Sequence, residues 1–157
     1  MKISKGLISV TTSLTIKIQE DLKAAMKRGD RATVSALRLI IAAMKQREID
    51  TRKVLTDSEA VVILNRLSKQ RKDSISQYLA ASRNDLASIE ENELKIIQDY
   101  LPEQLSSEEI ESKVLSAIES IGAKSLKDMG KVMAKLKAEL QGNADMSIVS
   151  EITKKNL

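Results

Sequence analysis

Cysteine and histidine are both missing from this chain of 157 residues. Without thiols there are no disulfides and no thiolate nucleophile. Without imidazole the commonest general base and the commonest metal ligand are gone as well. Phenylalanine and tryptophan are also absent, so Tyr78 and Tyr100 are the whole aromatic complement. The core must therefore be aliphatic, and little is available to stack against the bases of a single strand. Pro102 is the only proline. With strand-favouring aromatics so scarce and Leu, Ala, Lys and Glu abundant, the chain reads as all-α. No apolar run approaches the roughly 20 residues that cross a bilayer, so a soluble cytoplasmic protein with no membrane partner is expected. The five glycines (Gly6, Gly29, Gly122, Gly130 and Gly142) are scattered, which excludes a glycine-rich phosphate loop. No metal site, cofactor or catalytic residue is expected.

What is present is helical periodicity, carried by 42% apolar residues. Residues 1–14 hold two lysines and no acid, and read as a flexible N-terminal extension. Seven helices follow. Leu14, Ile18, Leu22 and Met26 recur every four residues, and Gly29 is a natural stop. Asp30 caps a second helix with a wide apolar arc that includes Val34, Leu37, Ile40, Ile41 and Met44. Thr56 and Glu59 form a capping box that opens the longest helix, which bears Leu64, Leu67, Ile75, Tyr78 and Leu79. After a polar break at Ser82, Arg83 and Asn84, a fourth helix carries Leu86, Ile89, Ile97 and Tyr100 until Pro102 ends the run. Short loops make residues 15–101 a long-helix antiparallel bundle. A shorter rhythm then begins. Ser106 and Glu109 form a second capping box, Ile110, Val114, Ile118 and Ile121 follow up to Gly122, Ser125 caps a sixth helix and Asp145 a seventh. Residues 102–157 thus read as a three-helix module.

Charge divides the chain further. Residues 1–55 carry 12 Lys and Arg against 5 Asp and Glu, whereas residues 102–157 carry 8 against 9. Arg31, Arg38 and Lys45 recur every seven residues and share one stripe of the second helix. In the sixth helix Leu126, Met129, Met133, Leu136 and Leu140 fall on one face, and Lys124, Lys127, Lys131 and Lys135 on the other. Two readings of these cations stay open. Long cationic side chains commonly cover an apolar edge and keep their heads in water. Equally, such stripes meet the phosphates of a structured RNA. Glu108, Glu109 and Glu111 occupy the first turn of their helix, where negative charge suits the dipole, so they are not read as a metal cluster.

One pair interrupts its own surroundings. Arg71 stands in the middle of the apolar face of the third helix and Glu93 in the middle of that of the fourth. If the helices fold back about residue 83, the two lie within about one turn of each other, which predicts a partly buried structural ion pair.

Four strings together carry a family resemblance: LRLIIAAMKQREID (37–50), LTDSEAVVILNRLSKQRKDSISQY (55–78), DYLPEQLSSEEI (99–110) and KSLKDMGKVMAKLKAELQGNADMSIVSEITKKNL (124–157). In this order they resemble the YqeY-like family of small bacterial proteins, itself similar to the tail domain of the GatB subunit of glutamyl/aspartyl-tRNA amidotransferase. The family motif is matched at Met129, Gly130, Val132, Met133, Leu136, Lys137, Gly142, Ala144 and Asp145, and again at Val149 and Leu157. Two positions depart from it. Ala134 stands where a second glycine is common, and Asn143 where Arg or Lys is common, which weakens the case for a phosphate grip at the Gly142 turn. The resemblance implies an accessory protein that contacts tRNA or another structured RNA, with no catalytic centre of its own. Its alternative is a protein-binding component of a glutamine-dependent carbon–nitrogen ligase, in contact with amidotransferase subunits.

Overall fold

The computed structural model describes residues 13–157, so the expected extension lies outside the described residues apart from Ser13 and Leu14. Leu14 already belongs to a helix, and Ser13 caps it. The Ser13 hydroxyl accepts the Ile16 amide at 3.3 Å and opens α1, Leu14–Arg28. Next come α2, Arg31–Thr51, α3, Asp57–Ala80, and α4, Asn84–Asp99. These are followed by α5, Ser107–Ile121, α6, Met129–Leu140, and α7, Met146–Asn156. The chain is all-α. It divides into a first unit that ends at Tyr100 and a second, Leu101–Leu157.

In the first unit α1 packs on α2 and α3 on α4, and α2 also touches α3 and α4. Several helix ends in this unit have a local cause. The Asp30 carboxylate accepts the Thr33 amide at 3.2 Å and the Thr33 hydroxyl at 2.7 Å, which satisfies an otherwise orphaned donor at the start of α2. Thr56 and Glu59 form the reciprocal capping box of α3. α2 and α3 end without glycine: Arg52 (φ 54°) and Ser82 (φ 57°) take the left-handed conformation themselves. The buried side chains are aliphatic, with Ile18, Leu37, Ile40 and Leu64 almost fully enclosed. Each contributes about 1.5–3 kcal/mol by leaving water.

Three expected core positions are exposed. Met26 yields its place in α1 to Ala25, and Leu79 lies beyond the part of α3 that is covered. Ile89 is exposed because α4 turns Ala87, Glu90, Glu93 and Ile97 inward, a face that keeps Glu93 and Ile97 of the expected one but is rotated away from Ile89.

In the second unit Ile110, Val114, Ala117, Val132, Leu136, Leu140, Ala144 and Val149 form a single aliphatic core. Thr153 is buried with them, and its hydroxyl donates to the Val149 carbonyl at 2.7 Å, so no polar atom of that side chain goes unmatched. The Ser106–Glu109 capping box opens α5, and Gly122 closes it at φ 71°. Ser125 does not cap α6. It caps a 3-10 turn, Leu126–Asp128, from which α6 starts at Met129. The tighter turn breaks the phase of the sequence pattern. Leu126 is consequently 55% exposed, and the inward face of α6 is centred on Val132, Leu136 and Leu140, with Met129 and Met133 only at its edge.

Candidate functional site

The Arg71 side chain of α3 meets two carboxylates of α4. Its Nε lies 2.7 Å from Glu93 Oε2 and 3.3 Å from Glu90 Oε2, and all three side chains are less than one-fifth exposed. Position 90 is one turn before 93, so both acids share the inward face of α4. Arg71 Nε and Glu90 Oε2 are sealed from solvent without a well-directed hydrogen bond, which leaves their attraction mainly Coulombic. Burial pushes the Glu93 carboxyl above its ordinary pKa. Arg71 opposes that rise and the Glu90 charge adds to it. One guanidinium is thus shared by two acids of the neighbouring helix. The contact joins α3 to α4 by charge.

The last residue of the first unit makes another polar contact. Tyr100 donates its hydroxyl to Asp21 Oδ2 at 2.5 Å, while Lys17 Nζ stands 5.8 Å from the ring centroid. Burial, and then the Asp21 carboxylate, raise the phenol well above its ordinary pKa. No sequence signal joins residues 79 apart, and none points to this pair.

The structure separates the four lysines 124, 127, 131 and 135. Lys124 precedes the 3-10 turn, Lys127 lies within it, and only Lys131 and Lys135 are on α6. None is in a salt bridge among the described residues, but they are not equivalent. Lys135 is half-buried and donates from Nζ to Ser120 Oγ of α5 at 2.8 Å. Lys124, Lys127 and Lys131 are exposed. Asp128 stands among them. Its Oδ2 accepts the Lys124 amide at 3.0 Å, and that bond, assisted by the charges of Lys131 and Lys124, holds its carboxyl below the usual range. A carboxylate is thus built into the lysine edge, four residues after Lys124, where a helical wheel also puts it.

The turn after α6 has a structural occupation. Asn143 donates from Nδ2 to the Glu103 carbonyl at 3.2 Å, its own carbonyl accepts the Leu105 amide at 2.8 Å, and Gln104 Nε2 donates to the Gly142 carbonyl at 2.8 Å. Asn143 thus ties the turn to the start of its own unit.

On the first unit Arg31, Arg38 and Lys45 are all exposed along α2. Arg31 and Arg38 border a cleft of about 470 Å³ that also includes Met26, Val34 and Leu39, and Arg38 Nη2 lies 3.9 Å from Met26 Sδ. Among the described residues no group of three or more Asp or Glu is arranged to hold a metal, and no helix is long and apolar enough to cross a membrane.

Comparison with known proteins decides the family. The family described as Yqey-like protein matches residues 15–157. The chain belongs to the YqeY-like family. Among curated relatives it is 41% identical to altered inheritance of mitochondria protein 41 of Vanderwaltozyma polyspora over 100 residues, covering 62% of this chain and 54% of the relative. Against the protein of the same name in Kluyveromyces lactis, identity is 33% over 105 residues, 64% of this chain and 56% of the relative. Against that of Saccharomyces cerevisiae strain YJM789 it is 31% over 115 residues, 69% and 62% respectively. The chain spans little more than half the length of the first two relatives. These relatives are named as mitochondrial proteins, which overturns the cytoplasmic assignment made from composition. They are yeast proteins, so they lend no support to a bacterial setting for this member of the family.

Proposed function

We propose that this YqeY-like protein is a non-catalytic accessory protein whose second unit contacts the phosphates of a structured RNA, tRNA being the RNA that the amidotransferase-tail resemblance favours. The observation that carries this reading is the lysine edge: Lys124, Lys127 and Lys131 are exposed and free of salt bridges among the described residues. Three exposed ammonium groups attract phosphate without reading sequence, which suits a chain so poor in aromatics. Lys135 is a lesser contributor, since its ammonium is already held by Ser120. The test is equilibrium binding of a tRNA transcript at several salt concentrations, with the wild-type chain and a Lys127→Glu/Lys131→Glu variant. Loss of two phosphate contacts lowers the salt slope by about two and weakens binding to all RNA sequences alike. Affinity and slope that are unchanged in the variant would refute the reading.

A second reading, a component of a glutamine-dependent amidotransferase system acting by protein contact, is favoured by a different observation. The α2 face of the first unit exposes apolar side chains beside its cations, and phosphate contact gives those no role. Co-purification of the chain with amidotransferase subunits supports this reading, and isolation free of them counts against it.

A further inference from the structure

The exposed stripe of α2 is longer than the three cations that first mark it. Arg31, Arg38, Lys45 and Arg52 stand seven residues apart in sequence, the last being the residue that closes the helix. Seven residues rise about 10.5 Å along an α-helix, so these charges extend for about six turns. Ile49, which the same helical phase places on this stripe, is 69% exposed, and Leu39 beside it is about half exposed. At the start of α2 the cleft of about 470 Å³ combines Met26, Val34 and Leu39 with Arg31 and Arg38. At its end a second cleft of about 520 Å³ combines Ile49 and Val54 with Lys45, Arg52 and Lys53. Val54 is 84% exposed. Glu48 also lines this second cleft, but it is half-buried and its Oε1 accepts the Leu55 amide at 3.4 Å.

We infer that this strip is the docking face for an acidic amphipathic helix of another protein, one that carries carboxylates every seven residues with aliphatic side chains between them. Cations at a seven-residue period match a helix packed alongside α2 at the shallow angle that keeps two helices in register over many turns. The apolar contacts at both ends distinguish this face from a phosphate-binding one, because phosphates give no return for desolvating Ile49 or Leu39. An occupant from within the chain has the wrong charge or the wrong spacing. Residues 1–12 contain Lys2 and Lys5 and no acid. No helix among the described residues carries two acids seven apart, which argues against a second copy as the complement. The inference is independent of the RNA reading, which concerns the second unit.

The test uses the full chain and a labelled synthetic helix-forming peptide of about 21 residues, the length of α2, with Glu every seventh residue and Leu between. Two control peptides keep the charge: one replaces the leucines by serine, and the other moves the glutamates off the seven-residue spacing. The wild-type chain binds the first peptide at least about tenfold more tightly than either control, and Leu39→Ser/Ile49→Ser removes that preference. Both positions are solvent-facing, and an unchanged circular dichroism spectrum shows that the variant folds. Equal binding of all three peptides would mean charge attraction alone and would overturn the inference. So would displacement of the peptide by tRNA in a manner insensitive to Lys127→Glu/Lys131→Glu, which would make the strip an RNA surface. Concentration-dependent self-association abolished by Ile49→Ser would equally overturn it, by making the occupant a second copy.

Discussion

Arg71 of α3 lies 2.7 Å from Glu93 of α4, and Glu90, one turn earlier, shares the same guanidinium at 3.3 Å. Two acids on one cation leave a net negative charge in a poorly hydrated seam. The members of this triad therefore differ in what their removal does.

Arg71→Met strands both carboxylates and is expected to cost about 2–4 kcal/mol in urea unfolding, somewhat under the value for fully buried pairs because the groups retain some exposure. Glu93→Gln keeps an acceptor for Arg71 and removes a charge that burial disfavours, so at neutral pH it is neutral or stabilising. The pH dependence has a definite sign. The Glu93 carboxyl is raised above its ordinary 4.5, so the native state holds that proton longer than the unfolded chain, and stability falls as pH rises through the window just above 4.5. Glu93→Gln lacks this decline. A loss below about 1 kcal/mol in Arg71→Met would show the triad to be effectively solvated.

Tyr100 gives an alkaline counterpart. Its phenol is raised above the ordinary 10.0 by burial and by Asp21, so the unfolded chain releases this proton first and stability declines as pH rises past 10.0. In a Tyr78→Phe background Tyr100 is the only phenol. Its phenolate absorbance should then appear late and together with unfolding, and Asp21→Asn should bring it to lower pH. Tyr100→Phe is expected to cost about 1.5–3 kcal/mol, the range for a hydrogen bond to a charged acceptor.

Asp128 opposes the lysines that surround it. Asp128→Asn retains an oxygen for the Lys124 amide and removes the charge, so affinity for a tRNA transcript should rise by up to about fivefold at low salt, with the gain fading as salt is added. An unchanged affinity would place the RNA elsewhere.

Two glycines of the second unit should respond in opposite ways to alanine. Gly122 closes α5 at φ 71°, and although an added Cβ meets nothing within 4 Å, the left-handed backbone makes Gly122→Ala unfavourable by about 1–2 kcal/mol. Gly130 is inside α6 with the same open space and no positive φ. Gly130→Ala should stabilise by about 0.5–1 kcal/mol, and thermal melts of the two variants should shift in opposite directions.

Legibility in the sequence follows range. The capping boxes Thr56–Glu59 and Ser106–Glu109 span four residues each, so their chemistry is complete within one local window. Arg71 and Glu93 are readable because each interrupts an apolar face, and a fold-back places them near each other. Glu90 is hidden because Ile89 draws the apparent apolar face of α4 away from it. The sixth helix misleads for a similar reason. Its first turn is a 3-10 turn, and a wheel drawn at about 100° per residue carries Leu126 onto a core face that it does not share. Tyr100–Asp21 and the Asn143 contacts depend on chain reversals that no periodicity encodes. The strip on α2 is half visible. Its cations are legible as a seven-residue series, whereas the exposure of Ile49 and Leu39 is set by which helices leave that face uncovered.

The bonds from Gln104 and Asn143 also bear on how the second unit comes into being. A module of short helices folds quickly because most of its contacts are local, yet these bonds join positions 38 and 40 residues apart. They cannot form until α5 and α6 have already met, so the Leu105 amide, which donates to the Asn143 carbonyl beside them, should be among the last of this unit to gain protection from hydrogen exchange on refolding and among the first to lose it on local opening. Asn143 is thus expected to close the module after its core has assembled.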